Sequence, residues 1–225
     1  MNKYALVVAG GKGLRMGTEI PKQFILLKGL PVLMHTLKAF RSIESIQLIL
    51  VLPKDQIAYW KQLCINYKFE LPHQIIAGGD TRFQSVKNGL QAIQDNTGLV
   101  AIHDGVRPLI SVKIIEESFD LAQEKGNALT VVALKDSIRK QTENGSKSIN
   151  RSDYFLVQTP QTFKVEDIKN AYNKAAIVNN FTDDASVFEA NGGQIQLVQG
   201  DYKNIKITTP EDLLVGEAFL SNKTR

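Results

Sequence analysis

The stretch VVAGGKGLRMG (7–17) places four glycines and two cations directly behind an apolar run. A strand ending in Ala9, Gly10, Gly11, Lys12 and Gly13 exposes successive backbone N–H groups, because glycine tolerates positive φ and has no Cβ to hold a ligand away. That is the chemistry of an anion cradle. Spacing excludes two familiar versions of it. A dinucleotide fingerprint needs a third glycine where Met16 stands, and a Walker loop needs Ser or Thr after Gly11-Lys12, where Gly13 stands. What remains is a phosphate loop followed by Arg15 and then by Lys22 in IPKQF (20–24). Pro21 fixes the backbone and Phe24 follows as an apolar flank, so Lys22 is aimed rather than free.

Two further stretches carry the same kind of chemistry. AGGDTRFQSV (77–86) repeats the first loop's logic, a strand running into glycines and then into a helix. HDGVRP (103–108) ends an apolar run on Asp104, at the carboxyl edge where open α/β sheets bind ligands. None of the three histidines falls in an acid–base constellation, and His103 reads as a packed residue. The chemistry expected is therefore positioning and charge neutralisation of phosphates.

These loops need a frame. Apolar runs recur at YALVVA (4–9), IQLILVL (46–52), HQIIA (73–77), LVAIHD (99–104) and ALTVVAL (128–134), each suited to a strand buried on both faces. Helical patterns alternate with them: PVLMHTLKAF with Pro31 expected at N1, KDQIAYWKQLCINY, TRFQSVKNGLQAIQ, and SVKIIEESFDLAQEKG closing on Gly126. The alternation predicts an α/β fold with a doubly wound, mostly parallel sheet. It breaks at 136–158, a polar segment with the hairpin-turn residues Glu143, Asn144 and Gly145, which is expected to project as a β-hairpin arm. Isolated hairpins are marginal in water, so a second copy of the chain is the expected cover. After it KVEDIKNAYNKA and TDDASVFEANG read as helices, QIQLVQG as a strand, and TPEDLLVGEAFL as a closing helix with Thr209 as N-cap and Pro210 at N1. Without repeats or a linker, residues 1–225 are expected to form a single domain.

Composition narrows the function classes. The chain has 225 residues, 43% hydrophobic and 22% charged, enough for a sizeable core. Its net charge of +4 is spread without a block of like charges, which favours small anionic ligands over nucleic acid. The single cysteine, Cys64, excludes an internal disulfide and fits a reducing compartment. No run reaches the roughly 20 apolar residues of a membrane span, so a soluble cytoplasmic protein is expected.

The motifs AGGxGxRM, PKQ, AGGDTRFQSV, HDGVRP, QTPQTF (158–163), FTDDASVFE (181–189) and NIKITTPEDL (204–213) follow one another in order from Ala9 to Leu213. In this the chain resembles the 2-C-methyl-D-erythritol 4-phosphate cytidylyltransferases, nucleotidyltransferases of the non-mevalonate isoprenoid pathway. The resemblance implies transfer of the cytidylyl group of CTP to methylerythritol phosphate with release of pyrophosphate. It implies catalytic roles for Arg15, Lys22, Arg151 and Lys206, with Lys12 nearer the β/γ end of the triphosphate. Nucleotide contacts fall on Ala9, Gly10, Gly11, Lys12, Gly13, Gly78, Gly79, Asp80, Ser85 and Gly105. Gly105 stands where relatives often carry alanine, read here as a tolerable change. Acceptor contacts fall on Arg107, Ser137, Arg151, Thr159, Thr182, Asp183 and Lys206, with Ser137 replacing a threonine common in relatives. Asp104 is the implied ligand of Mg²⁺ or another divalent cation. Arg151 lies on the arm, which in the family crosses to a neighbouring subunit, so a homodimer is expected. Arg82 is read as a helix-start surface residue and left out of the site.

Two alternatives stand beside this reading. A cytidylyltransferase for ribitol 5-phosphate or another polyol phosphate shares AGGxGxRM, PKQF, HDxxRP and QTPQ, although FTDDAS tilts towards methylerythritol phosphate. A non-catalytic nucleotide-binding protein would be expected to have lost Arg15, Lys22 or Asp104, and all three are present.

Overall fold

The computed structural model describes residues 1–10, 20–175 and 181–221. The chain opens with β1 (Lys3–Val8), a short ribbon of β2 (Leu26–Leu27) and β3 (Leu30–Pro31), and helix α1 (Val32–Arg41). Then come β4 (Ile46–Leu52), α2 (Ile57–Asn66), β5 (Gln74–Ala77), α3 (Arg82–Gln91), β6 (Leu99–Asp104), α4 (Val112–Lys125) and β7 (Asn127–Ala133). The hairpin β8 (Ile138–Thr142) and β9 (Gly145–Ile149) leads into β10 (Phe155–Lys164), α5 (Val165–Lys174), α6 (Asp184–Ala190), β11 (Leu197–Gln199) and α7 (Pro210–Ser221).

Seven strands make one sheet in the order β11-β7-β10-β6-β1-β4-β5. β1 pairs in parallel with β4 and β6, aligning Val8 with both Val51 and Asp104, so these strands end together at one carboxyl edge. Alternate residues feed two cores. Ala5, Val7, Leu48, Leu50, Leu99 and Ala101 pack with Leu37 and Phe40 of α1, Trp60 of α2 and Phe119 of α4. Tyr4, Leu6, Ile49, Val51, Val100 and Ile102 pack on the other face with Val86 and Leu90 of α3 and Ile168 and Tyr172 of α5. Helices on both faces explain why these strands read as continuous apolar runs, each large side chain contributing about 1.5–3 kcal/mol on full burial. The expected doubly wound, mostly parallel sheet is therefore observed.

Helix ends follow local chemistry. Thr81 caps α3 in a capping box with Gln84, Ser111 caps α4 by accepting from Ile114 N–H, and α4 closes on Gly126 at φ +95°. Pro210 begins α7 as expected. Pro31 does not occupy N1 of α1: its ψ of 136° is extended, and the helix starts one residue later at Val32.

Two expectations change. β5 is not buried on both faces, since it lies at the sheet edge and pairs with β4 alone. The segment 136–158 is not all arm. The hairpin ends at Ile149, and from Phe155 onward the chain is a ten-residue strand inserted antiparallel between β6 and β7. Polarity hid this strand, for Gln158, Thr159, Gln161 and Thr162 are buried in it. Side chains make that burial affordable. Asn204 Nδ2 donates to Gln158 Oε1 (3.1 Å) and the Thr159 carbonyl (2.8 Å), Gln161 Oε1 accepts from Ala185 N–H (2.8 Å), and Thr162 Oγ1 donates to Ser118 Oγ (3.0 Å). The pairing of β10 with β7 shifts register between Val157 and Gln161, a bulge at the carboxyl edge of the parallel strands.

Candidate active site

Two clefts of about 240 Å³ each open side by side at that edge. The first is lined by Val8, Ala9 and Gly10 at the end of β1, by Lys22 and Gln23, by Gly79, Asp80 and Thr81, by Arg82 and Ser85 of α3, and by Asp104, Val106 and Lys206. The second takes Arg82, Asp104 and Lys206 from the same wall and adds Arg107, Val157, Thr159, Gln161, Thr182 and Asp183. An open groove continues the first cleft past Gly78 and Gly79 to Pro53, Lys54, Asp55 and Gln56.

The shared wall is a charge cluster around Asp104. Lys206 Nζ lies 2.8 Å from Asp104 Oδ2, Arg107 Nε 3.7 Å from the same oxygen, and Arg82 Nε 3.7 Å from Oδ1. Burial alone would raise the Asp104 carboxyl, but Arg82, Lys206 and Arg107 outweigh it and hold the group ionised far below the usual carboxylate range. Lys206 is fixed by its neighbour Ile207, which is fully buried and donates to the Val106 carbonyl at 2.8 Å. Arg107 Nη1 donates to the Asn204 carbonyl at 2.8 Å.

Lys22 is held as Pro21 implies. It begins a short 3₁₀ turn, Lys22–Phe24, in which Phe24 is buried between Tyr59 and Trp60 with ring centroids 5.2 and 6.1 Å away. The adjacent Gln23 is fully buried and donates to Gln56 Oε1 at 2.5 Å, joining this turn to the open groove.

Backbone approach explains the glycines. A Cβ on Gly79 would stand 2.5 Å from Gln84 Cβ, and one on Gly78 2.7 Å from Ser85 Oγ. Ser85 is buried and its Oγ accepts from Gly79 N–H at 3.2 Å, so it shapes the glycine turn from beneath. Gly105 is tighter than expected: a Cβ there would lie 2.8 Å from Ala9 Cβ and 3.0 Å from Leu33 Cδ1, so alanine is not a free exchange in this chain.

The predicted residues divide as follows. Ala9, Gly10, Gly79, Asp80 and Ser85 line the first cleft with Lys22, Asp104 and Lys206, and Gly78 lines its extension. Arg107, Thr159, Thr182 and Asp183 line the second. Asp183 also caps α6, accepting from Ser186 N–H at 2.9 Å. Ser137 and Arg151 are exposed and line neither cleft, and Arg151 Nη1 donates to the Lys135 carbonyl. Gly11, Lys12, Gly13 and Arg15 lie outside the described residues.

The residue that sequence reasoning missed is Arg82. It is half-buried rather than a free surface residue: Nη1 and Nη2 donate to both oxygens of buried Asp184, and the side chain lines both clefts. Burial works against its charge, yet Asp184 and Asp104 more than compensate and keep the guanidinium protonated. The available signal was its position directly after the Thr81 cap, facing the strand that ends in Asp104. Asn204, Gln161 and Asp184 were also missed, being second-tier supports inside motifs already noticed.

No histidine lines either cleft. His35 Nε2 meets the Leu27 carbonyl, and His73 accepts from Trp60 Nε1. His103 is fully buried, and burial pushes its imidazole down to about 4. The second cleft thus presents three cations, two carboxylates and several hydroxyl or amide groups but no imidazole.

A family model for 2-C-methyl-D-erythritol 4-phosphate cytidylyltransferase matches residues 4–222. The chain belongs to that family. A cytidylyltransferase of this name from Bacteroides thetaiotaomicron is 49% identical over 221 residues, covering 98% of this chain and all of that one. One from Phocaeicola vulgatus is 50% identical over the same span. Among solved structures, 4-diphosphocytidyl-2C-methyl-D-erythritol synthase from Anaerococcus prevotii superposes with a TM-score of 0.85 at 30% identity, over 98% of this chain and 96% of that one. The family's enzyme from Thermus thermophilus gives 0.82 at 29%, over 98% and 100%. The family's nucleotidyltransferase-like sheet is the one described above, with its loops gathered at the carboxyl edge.

Proposed function

We propose that this chain transfers the cytidylyl group of CTP to 2-C-methyl-D-erythritol 4-phosphate. The observation that carries the reading is the pair of adjoining clefts whose common wall is Asp104, Arg82 and Lys206. A nucleotide in the first and a phosphate-bearing polyol in the second would meet at that wall. A phosphate oxygen of the acceptor attacks the α-phosphorus of CTP, the bond from that phosphorus to the β-phosphate oxygen breaks, and pyrophosphate leaves. The nucleophile is already an anion, since a phosphate monoester has its second pKa near 6. No base is needed, in keeping with clefts lined by no histidine.

Each group then has a task. The glycine turns at Gly10 and at Gly78 and Gly79 offer backbone N–H groups to the nucleotide, and Asp80 and Ser85 bound the base. Lys22, with Arg15 and Lys12 before it in the sequence, neutralises the triphosphate as charge builds on the five-coordinate phosphorus. Lys206 and Arg107 take the acceptor phosphate, and Thr159, Thr182 and Asp183 its hydroxyls. Asp104 suits Mg²⁺, which prefers one or two carboxylates completed by phosphate oxygens and water. Among the described residues its Oδ1 pairs with Arg82 at 3.7 Å, and the carboxylate lines both clefts. Bound there, the ion would spread the negative charge of the triphosphate.

The active unit is proposed to be a homodimer. The arm is exposed on both faces, and Tyr154, Phe155, Leu156 and Val157 beside it form an exposed apolar stretch. Arg151 and Ser137 line neither of the two clefts described above, and in the proposed dimer they would serve the second copy. No described helix is long and apolar enough to cross a membrane; the phosphorylated substrates of the reading are water-borne, and the proposed location is the cytoplasm.

Pyrophosphate release from CTP and Mg²⁺ tests the reading directly. Turnover with 2-C-methyl-D-erythritol 4-phosphate and little with ribitol 5-phosphate is expected. The reverse preference would overturn the acceptor assignment, and release with neither would overturn the activity.

A further inference from the structure

His103 has no place in the chemistry above, yet it is fully buried on β6, one residue before Asp104. Its ring nitrogens meet two oxygens. Nε2 lies 3.2 Å from the Arg107 carbonyl and Nδ1 lies 3.0 Å from Thr159 Oγ1, while the Phe40 ring packs edge-on with its centroid 4.9 Å away. A carbonyl oxygen only accepts, so Nε2 carries hydrogen. A neutral imidazole carries one N–H, and with Nε2 donating to the carbonyl Nδ1 is bare. The Thr159 hydroxyl therefore donates to Nδ1.

The remaining capacity of Thr159 follows by counting. A hydroxyl has one hydrogen and two lone pairs. The hydrogen goes to His103, and one lone pair accepts from Asp104 N–H at 3.1 Å. The Thr159 carbonyl accepts from Asn204 Nδ2 at 2.8 Å. Among the described residues one lone pair on Oγ1 is left, at a residue that lines the second cleft.

We propose that His103 is a positioning residue that fixes the direction of the Thr159 hydroxyl, so that Thr159 can only accept a hydrogen bond, from a hydroxyl group of the polyol phosphate. This rests on the assignment of the second cleft to the acceptor. It adds a rule of selection: at this point the site takes a hydroxyl donor and disfavours a keto, ether or deoxy carbon, against which the lone pair finds no hydrogen.

The tautomer is measured first, in the unaltered protein, by long-range ¹H–¹⁵N correlation of the imidazole rings, with His103 signals assigned by elimination using His35→Gln and His73→Gln. An Nε2–H tautomer of His103 is expected, and an Nδ1–H tautomer overturns the proposal. Kinetics then use 2-C-methyl-D-erythritol 4-phosphate and analogues with one hydroxyl at a time replaced by hydrogen. Thr159→Val is expected to lower kcat/KM for the parent acceptor about five- to tenfold, the worth of one neutral hydrogen bond, to abolish the penalty for one particular deoxy analogue, and to leave the KM for CTP in place. Thr159→Ser restores both. His103→Phe is expected to reproduce the Thr159→Val pattern, and the double variant to be no worse than Thr159→Val alone. Multiplying losses in the double variant would sink the role of His103 while leaving the cleft assignment standing. Unchanged acceptor kinetics in Thr159→Val would instead remove that assignment.

Discussion

Arg82 and Asp184 are joined by two parallel hydrogen bonds, 2.9 Å from Nη1 to Oδ1 and 2.7 Å from Nη2 to Oδ2, and the Tyr172 hydroxyl donates to the same carboxylate at 2.6 Å. The fork ties the first turn of α3, on the wall of the first cleft, to the start of α6, where Thr182 and Asp183 bound the second cleft. Removing one member leaves the other charge without its partner. Asp184→Ala should cost about 3 kcal/mol, the low end for a broken buried pair because 32% of the Arg82 side chain stays accessible. Urea unfolding checks it, and an unchanged midpoint would show the pair to be ornamental.

Lys22 of the first cleft and Arg15, which lies outside the described residues, should matter to turnover and not to folding. Lys22→Ala and Arg15→Ala are each expected to lower kcat about 100- to 1,000-fold, by comparison with loss of one preorganised donor elsewhere. Circular dichroism and melting temperature should stay close to those of the parent. Near-parental kcat in either variant contradicts the assignment.

Arg151 admits a mixing test. If each site draws Arg151 from the other copy, a mixed dimer of Arg151→Ala and Lys22→Ala chains holds one site with both defects and one with none. Co-expression of the two inactive chains should then recover about a quarter of parental activity, since about half of the dimers are mixed and half of their sites intact. No recovery in a verified mixed dimer means that Arg151 acts within its own chain or not at all.

Gly105→Ala is expected to be harmful here, because its Cβ would press at 2.8 Å on Ala9 Cβ, which lines the first cleft. Overpacking of this size costs about 1–3 kcal/mol. A raised KM for CTP should accompany it, and paired titrations of CTP binding to parent and variant would decide.

Asp212 supplies a pH dependence away from the site. Burial raises its carboxyl, but Thr208 N–H and Oγ1 and Thr209 N–H, at 2.7 to 2.8 Å, outweigh burial and hold it below the usual value. A depressed carboxyl contributes stability that is complete above its unfolded value, near 3.9, and is lost as pH falls through the lower folded value. Asp212→Asn should therefore be less stable than the parent at pH 7, with the gap closing below about pH 4. A gap that is constant with pH would rule out this account.

How much of this was legible beforehand depends on which force wrote each element. β4 and β6 were read to the residue, because continuous apolar runs leave a buried parallel strand few alternatives. Lys22, Asp104 and the glycine turns at Gly78 and Gly79 were legible because special backbone and isolated charge show in sequence. β10 was not, since its buried glutamines and threonines are compensated by Asn204, Ser118 and Ala185, partners remote along the chain. Arg82 was missed for the same reason: its partner Asp184 is 102 positions away, and no local pattern distinguishes a forked guanidinium from a solvated one.

The insertion of β10 between β6 and β7 also separates two kinds of freedom in this chain. The hairpin leaves the sheet after Ala133 and the chain re-enters it at Phe155, two positions that face each other across a single rung of the ladder. Everything between them is a detachable loop in topological terms, free to lengthen, shorten or be exchanged with that of a cousin without rethreading a strand. On the proposed reading, chimaeras that swap residues 134–154 but retain Ser137 and Arg151 are the natural way to separate who associates with whom from what is made, because the strands that end at the carboxyl edge stay in place.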